Sequence, residues 1–356
     1  MSAEQLLIFI APVILSIIAF DYYYTAKVKK IRYTLFGFIQ NINQTLGQQV
    51  INVFLRASFI GLYYILHSHL ALYTIETSAL TVLAIFLVVD FCQYWFHRLC
   101  HSYHFMWAMH LVHHSSHEMN ISVSLRNPWF NQIYAFIIYV PLAILGFEPK
   151  TVIMVVTINY IFQFWVHSAI IGKLGILEKI IITPSTHRVH HSNLPHHLDK
   201  NFGNTLVIWD RMFGTYLEES DEVVYGTTLN ANTANPLWEN LYYFKYMLEL
   251  AKTQKGLANK LKILTLRLSK IPQGVTRAEA RDILYKASKS LPSGPITYTN
   301  SHAASIWALF LLTVISLAAF LSFAPKIEMT GKVLGALGIF ILLYLQGLNL
   351  KRGKMA

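Results

Sequence analysis

The chain has 356 residues, of which 54% are hydrophobic and 13% charged. The charged share is about half that of a soluble globular domain and argues for a membrane protein. The net charge of +11 comes from basic residues dispersed beside apolar stretches, a pattern that suits anionic lipid headgroups better than nucleic acid. Two cysteines, Cys92 and Cys100, show no CxxC spacing and call for no oxidising compartment, whereas sixteen histidines stand out.

A helix that crosses a bilayer needs about 20 mostly apolar residues. Five to seven stretches meet that length. They are roughly 5–24, 49–71 (interrupted by Arg56, His67 and His69), 78–97, 129–147, 151–171, 303–323 and 329–349. Segment 41–75 also reads as interfacial or re-entrant. The pair 129–147 and 151–171 turns at Gly146, and the last two stretches form a C-terminal hairpin. The start of the chain lacks a basic region and a small-residue cleavage site, so the first stretch reads as a retained anchor. Lys27, Lys29, Lys30 and Arg32 follow it and place its end in the cytosol. Counting forward puts Arg98, the segment after 171, and Lys351, Arg352 and Lys354 on the same side. Segment 245–290 alternates lysines with Leu and Ile at helical spacing and reads as a helix on the headgroups or a solvated linker helix. SLPSGP (290–295) reads as a turn-rich linker. The domain division that follows is 1–75 (N-terminal membrane helices), 76–245 (catalytic), 246–300 (basic helical segment and linker) and 301–356 (transmembrane hairpin).

The chemistry lies in three histidine groups. His97 and His101 are spaced HxxxH, while His110, His113 and His114 and then His187, His190 and His191 are each spaced HxxHH. Residues at i, i+3 and i+4 share a helical face, so each HxxHH directs three imidazoles one way, toward one metal or across two. His167, in QFWVHS at the end of the fifth stretch, is a natural ninth ligand. Eight or nine converging histidines exceed the four ligands of a closed structural zinc site and suit two ions with open positions. Imidazole does not choose among Fe, Zn, Cu and Ni.

Outer-shell groups orient such ligands. Asp90, seven residues before His97 and on one face with Tyr94 and His101, is placed to accept a bond from a ligand ring. Asn120, Arg126, Asp199, Asn201 and Asp210 are further candidates. His67, His69 and His302 are isolated and read as ordinary polar groups. His104, His117, His196 and His197 lie near the boxes but off the pattern.

HRLCH, HLVHH and HRVHH, in that order, resemble the fatty-acid hydroxylase and sterol desaturase superfamily. FMWAMHLVHHSSHEMNISVSLR, PLAILGF, TPSTHRVHH, LDKNFG, VIWDRMFGTY, VVYGT and NPLW are similar to its alkylglycerol monooxygenase-like branch, over roughly 85–245. The resemblance implies an all-α polytopic membrane bundle with a cytosolic helical cap. It also implies a di-iron (Fe2+) centre on His97, His101, His110, His113, His114, His167, His187, His190 and His191. The implied reaction is O2-dependent oxidation of a lipid, an alkylglycerol ether lipid or another lipid chain. One departure stands out: the branch usually has an acid directly after HHSS, where this chain has His117 followed by Glu118.

The chain carries no iron–sulfur cysteine cluster and no GxGxxG, so an external electron donor is implied; the resemblance implies tetrahydrobiopterin, as in the alkylglycerol branch, or a small redox protein, as elsewhere in the superfamily. Two other readings remain: a lipid desaturase or sterol oxidase using the same centre, and a membrane metal transporter or storage protein. Ligands gathered at a membrane edge argue against the transporter, which would hold them near the midplane.

Overall fold

The computed structural model describes residues 13, 16–227, 233–288 and 296–355, so half of the first apolar stretch and the 290–295 linker lie outside the described residues. The described chain is helical, with one short antiparallel strand pair, β1 (Ile296–Thr297) and β2 (Lys354–Met355). Among the described residues four helical stretches are long and apolar enough to cross a membrane: Leu35–Leu70, Ala79–Cys100, Asn300–Lys326 and Met329–Lys351. The all-α membrane architecture stands.

The first of these, α1 (Leu35–Leu70), is one continuous helix of 36 residues rather than a short span or a re-entrant loop. Thr34 caps it, its hydroxyl accepting from Gly37 N at 3.0 Å. Its first half buries the polar residues Gln40, Asn41, Asn43, Gln44 and Gln48. All but Asn43 hydrogen-bond to other segments: Asn41 Nδ2 donates to Ser122 Oγ at 2.8 Å and Gln44 Nε2 to Glu239 Oε2 at 2.7 Å. Most of these buried amides are thus partnered, and one long helix serves both bilayer and cap.

Helix α2 (Ala79–Cys100) begins at a Ser78–Thr81 capping box and ends in the first histidine group. Two short helices follow, α3 (His104–Ala108) and α4 (Leu111–His114). The expected fourth and fifth spans are α5 (Asn131–Leu145) and α6 (Pro149–Trp165), of 15 and 17 residues. At about 1.5 Å per residue they measure about 22 and 26 Å, short of the roughly 30 Å hydrocarbon core. They form a hairpin against α2 and the distal half of α1, burying Leu142, Ala143, Val152 and Val155 with Ile85 and Val89. Gly146 turns this hairpin at φ 100°, and any side chain there would strike the Tyr73 carbonyl.

Beyond it come α7 (Pro184–His190), α8 (Ile208–Met212), α9 (Pro236–Lys252), α10 (Leu257–Lys262) and α11 (Arg277–Ser288). The basic segment is therefore divided. Helix α10 buries none of its residues, as a surface helix should. Helices α9 and α11 instead pack Tyr242, Tyr243, Tyr246, Leu250 and Leu284 into a core with Met109 and Leu111, beside the second histidine group. The hairpin α12 (Asn300–Phe323) and α13 (Met329–Lys351) packs on the proximal half of α1. At Gly347 an added Cβ would lie 2.8 Å from Asn235 Cα, so glycine lets α13 approach the start of α9.

Candidate metal centre

All three histidine groups sit at helix ends. His97 occupies the last turn of α2, and His101 is its C-cap. His110 is the N-cap of α4, which carries His113 and His114. His187 and His190 lie on α7, with His191 as its C-cap. A Thr183–Thr186 capping box and Pro184 in the first turn start α7. His167 follows α6 directly instead of lying within a span. Cations are favoured near helix C-termini, where carbonyl groups lack partners.

The nine histidines converge into two sets: His97, His101, His110, His114 and His190 in one, His113, His167, His187 and His191 in the other. Within each set the candidate donor nitrogens lie within 4.8 Å of one another. Both HxxHH groups are divided in the same way. The i and i+4 imidazoles, His110 with His114 and His187 with His191, stay together, and the i+3 imidazole joins the other set.

Within the sets Nε2 faces Nε2. His101–His114 and His110–His114 are 3.1 and 3.0 Å apart in one set. His167–His113, His187–His167 and His191–His113 are 3.2, 3.0 and 3.1 Å apart in the other. For metal–nitrogen bonds of about 2.1 Å, adjacent donors sit about 3.0 Å apart at a right angle and about 3.4 Å at the tetrahedral angle. The spacing is thus that of the edges of a coordination polyhedron.

Tautomers agree. His97, His167 and His190 place Nδ1 against the carbonyls of Phe202, Gln163 and Lys200 at 3.0, 3.0 and 2.9 Å. A ring that donates from Nδ1 presents a lone pair at Nε2. His97 Nε2 is buried without a hydrogen-bond partner, as a group awaiting a cation would be. Burial pushes His114, His187, His190 and His191 well below the ordinary histidine pKa, and neighbouring imidazoles push them further. They are neutral at pH 7, the state a metal needs. The donor set therefore fits two metal ions.

The outer groups are arranged differently from expectation. Asp90 accepts no bond from an imidazole. It takes Thr205 N at 2.8 Å, Leu206 N at 3.1 Å and Trp209 Nε1 at 2.8 Å. Asp210 takes Phe202 N and Gly203 N, each at 2.7 Å. Asn201, at φ 54°, ties Thr186 O to Leu217. These residues shape the loop whose carbonyls at 200 and 202 hold His190 and His97, so carboxylate acts on backbone and backbone on ring. Asn120 caps a turn through Ser122 N at 3.1 Å and reaches no imidazole. Asp199 has positive φ (59°) and makes no side-chain hydrogen bond with the described residues. Arg126 donates to Val112 O at 2.8 Å and to Ser115 Oγ, and pairs with buried Glu239. It brackets His113 and His114 through their neighbours.

Asp210→Ala is expected to weaken metal retention about 10–100-fold, the usual cost of an outer-shell partner, while every imidazole remains. Metal competition with a chelator reads this; retention equal to wild type would disprove the relay through Phe202.

Sequence reasoning missed several supports. Arg188 forks onto Glu219 at 2.6 and 2.7 Å and donates to Ser168 O and Ile171 O, binding α7 to the loop after His167. Glu178 accepts from Leu174 N at 3.0 Å and from Ser185, next to the α7 cap. Arg188 is visible in the sequence as a basic residue inside HRVHH, but nothing there announces its partner. Of the off-pattern histidines, His104 pins α3 to α9 through Tyr243 OH at 2.8 Å, and His302 bonds Asn349 across the C-terminal hairpin at 3.0 Å. His117 joins neither set.

Residues 82–215 match the family described as fatty acid hydroxylase. Over this segment the chain is similar to fatty acid hydroxylases. The segment carries all nine histidines, and its resemblance to the alkylglycerol monooxygenase branch holds. The chain is 37% identical to the alkylglycerol monooxygenase of Danio rerio over 66% of its own length and 52% of the relative's. It is 41% identical to that of Homo sapiens over 50% of the chain and 40% of the relative. An ornithine lipid hydroxylase of Rhizobium tropici is 28% identical over 36% of the chain and 39% of the relative. The chain thus spans about half the length, or less, of these relatives. No solved structure matches it.

Proposed function

We propose that this chain is a membrane-bound, O2-dependent lipid hydroxylase with two iron ions held by the nine histidines. The observation that carries the reading is the division of nine buried or half-buried imidazoles into sets of five and four, inside a segment that matches the fatty acid hydroxylase family. His97, His101, His110, His114 and His190 would hold one ion, and His113, His167, His187 and His191 the other. Iron bound there supplies O2 activation and oxidation of an unactivated C–H bond.

The chain's own part is placement. Neutral imidazoles leave the charge of the ions uncancelled. Carbonyls at Phe202, Lys200 and Gln163 fix the rings. Buried Val166, Val189 and Phe202 beside the ligands keep water out. Hydroxylation places one oxygen atom of O2 in the C–H bond and releases the other as water, consuming two electrons and two protons. Those electrons come from an external donor, tetrahydrobiopterin or a redox protein.

The basic clusters at Lys27–Arg32 and Lys351–Lys354 support a centre on the cytosolic side. The similarity to alkylglycerol monooxygenases favours an ether lipid as substrate. The test is incubation of Fe(II)-loaded protein in lipid nanodiscs with an alkylglycerol, tetrahydrobiopterin and 18O2, followed by mass spectrometry. Product carrying one 18O is expected. Loss of two hydrogens without oxygen would establish the desaturase reading instead. Absence of both, with either donor and with the metals retained, would overturn the oxygenase reading.

A further inference from the structure

Among the described residues one further group of metal-ligating side chains lies outside the nine-histidine centre: His196, His197 and Asp221. Its histidines belong to NLPHHLD, the pair that the hydroxylase pattern leaves unused. His196 Nε2 lies 2.7 Å from Asp221 Oδ2, and His197 Nε2 lies 3.9 Å from the same oxygen. Three candidate donors gather within 4.8 Å. His197 is 0% exposed, and its Nε2 has no hydrogen-bond partner, while its Nδ1 meets Ser192 Oγ at 2.8 Å. A buried ring nitrogen of this kind is costly to leave bare. The exposed His196–Asp221 pair does not satisfy it and contributes little alone.

We propose that His196, His197 and Asp221 form a third metal site, mononuclear and exchangeable, for a zinc-like divalent cation. Two imidazoles and a carboxylate suit such an ion, with open positions for water. The half-exposed side chains of His196 and Asp221 make exchange rapid. The site is connected to the main centre through the backbone. Ser192, which holds His197, directly follows His191. Asn193 N donates to Val224 O at 2.8 Å, and Ser192 bridges Tyr225. A cation here clamps the turn after α7 to the 219–225 segment. It thereby steadies the stretch that delivers the carbonyls of Lys200 and Phe202 to His190 and His97. The proposal is independent of the reaction performed at the main centre.

The test uses the full chain in detergent, saturated with Zn2+ alone, and counts bound zinc for wild type, His196→Ala and Asp221→Asn. Both substitutions fall on exposed side chains, so the fold is retained. Each variant is expected to hold one zinc fewer than wild type. Equal counts in all three overturn the site. Hydrogen exchange at the Asn193 amide is the second readout: zinc should slow it in wild type and not in Asp221→Asn. A count that falls while exchange stays unchanged would overturn the clamp.

Discussion

His113→Ala is expected to reduce bound metal from two ions per chain to about one and to abolish lipid oxidation. His113 belongs to the set of four, so its loss leaves three imidazoles for that ion. It meets both His167 and His191, so two contacts of the set go with it. His190→Ala removes one of five and is expected to act in the same direction but less severely on metal content. Both losses should exceed the roughly 10–100-fold effect of an outer-shell residue, because a donor itself is removed. Metal analysis after anaerobic Fe(II) loading and dialysis decides this, with helical circular dichroism to verify the fold. Unchanged stoichiometry in both variants would refute the two-ion centre. A greater loss for His190→Ala than for His113→Ala would refute the division into five and four.

Arg126→Met should cost about 3–5 kcal/mol of stability, the range for breaking a buried ion pair from one side. Arg126 is 3% exposed and its partner Glu239 is 0% exposed at the side chain. Removing the guanidinium leaves a buried carboxylate with hydrogen bonds from Ser115 and Gln44 but no countercharge. It also removes the guanidinium's bond to Val112 O, immediately before His113, leaving that carbonyl to Ser115 Oγ. Adding Glu239→Gln to Arg126→Met should restore part of the loss, because the stranded charge is then gone. Denaturant unfolding in detergent measures both variants. A loss below about 1 kcal/mol for the single variant would put the pair in the class of solvated surface bridges.

The histidine spacings, the helical character and the apolar stretches were legible in the residues themselves, because donor type and period are local properties. HxxHH spacing puts three rings on one side of any helix that contains it, whatever the helix packs against. The same locality placed His167 among the candidates, since a histidine at the end of an apolar stretch is conspicuous. Locality also misled. Stretches 129–147 and 151–171 have the composition of spans and turn at Gly146 as expected, but the shortness of the helices on either side was settled by packing against α1 and α2. Asp90 shares a helical face with His97, yet its oxygens were claimed by Thr205, Leu206 and Trp209, more than a hundred residues away in the chain.

What the sequence by itself determined is the inventory: enough imidazoles, at helical spacing, beside enough apolar chain to lie at a membrane. Tertiary structure alone decided which ring joins which set, since α4 and α7 must face each other before i+3 can separate from i and i+4. It also decided that backbone carbonyls, not carboxylates, orient the rings of His97, His167 and His190. Hydrogen bonds of that kind depend on where distant segments come to lie, and residue type does not encode them.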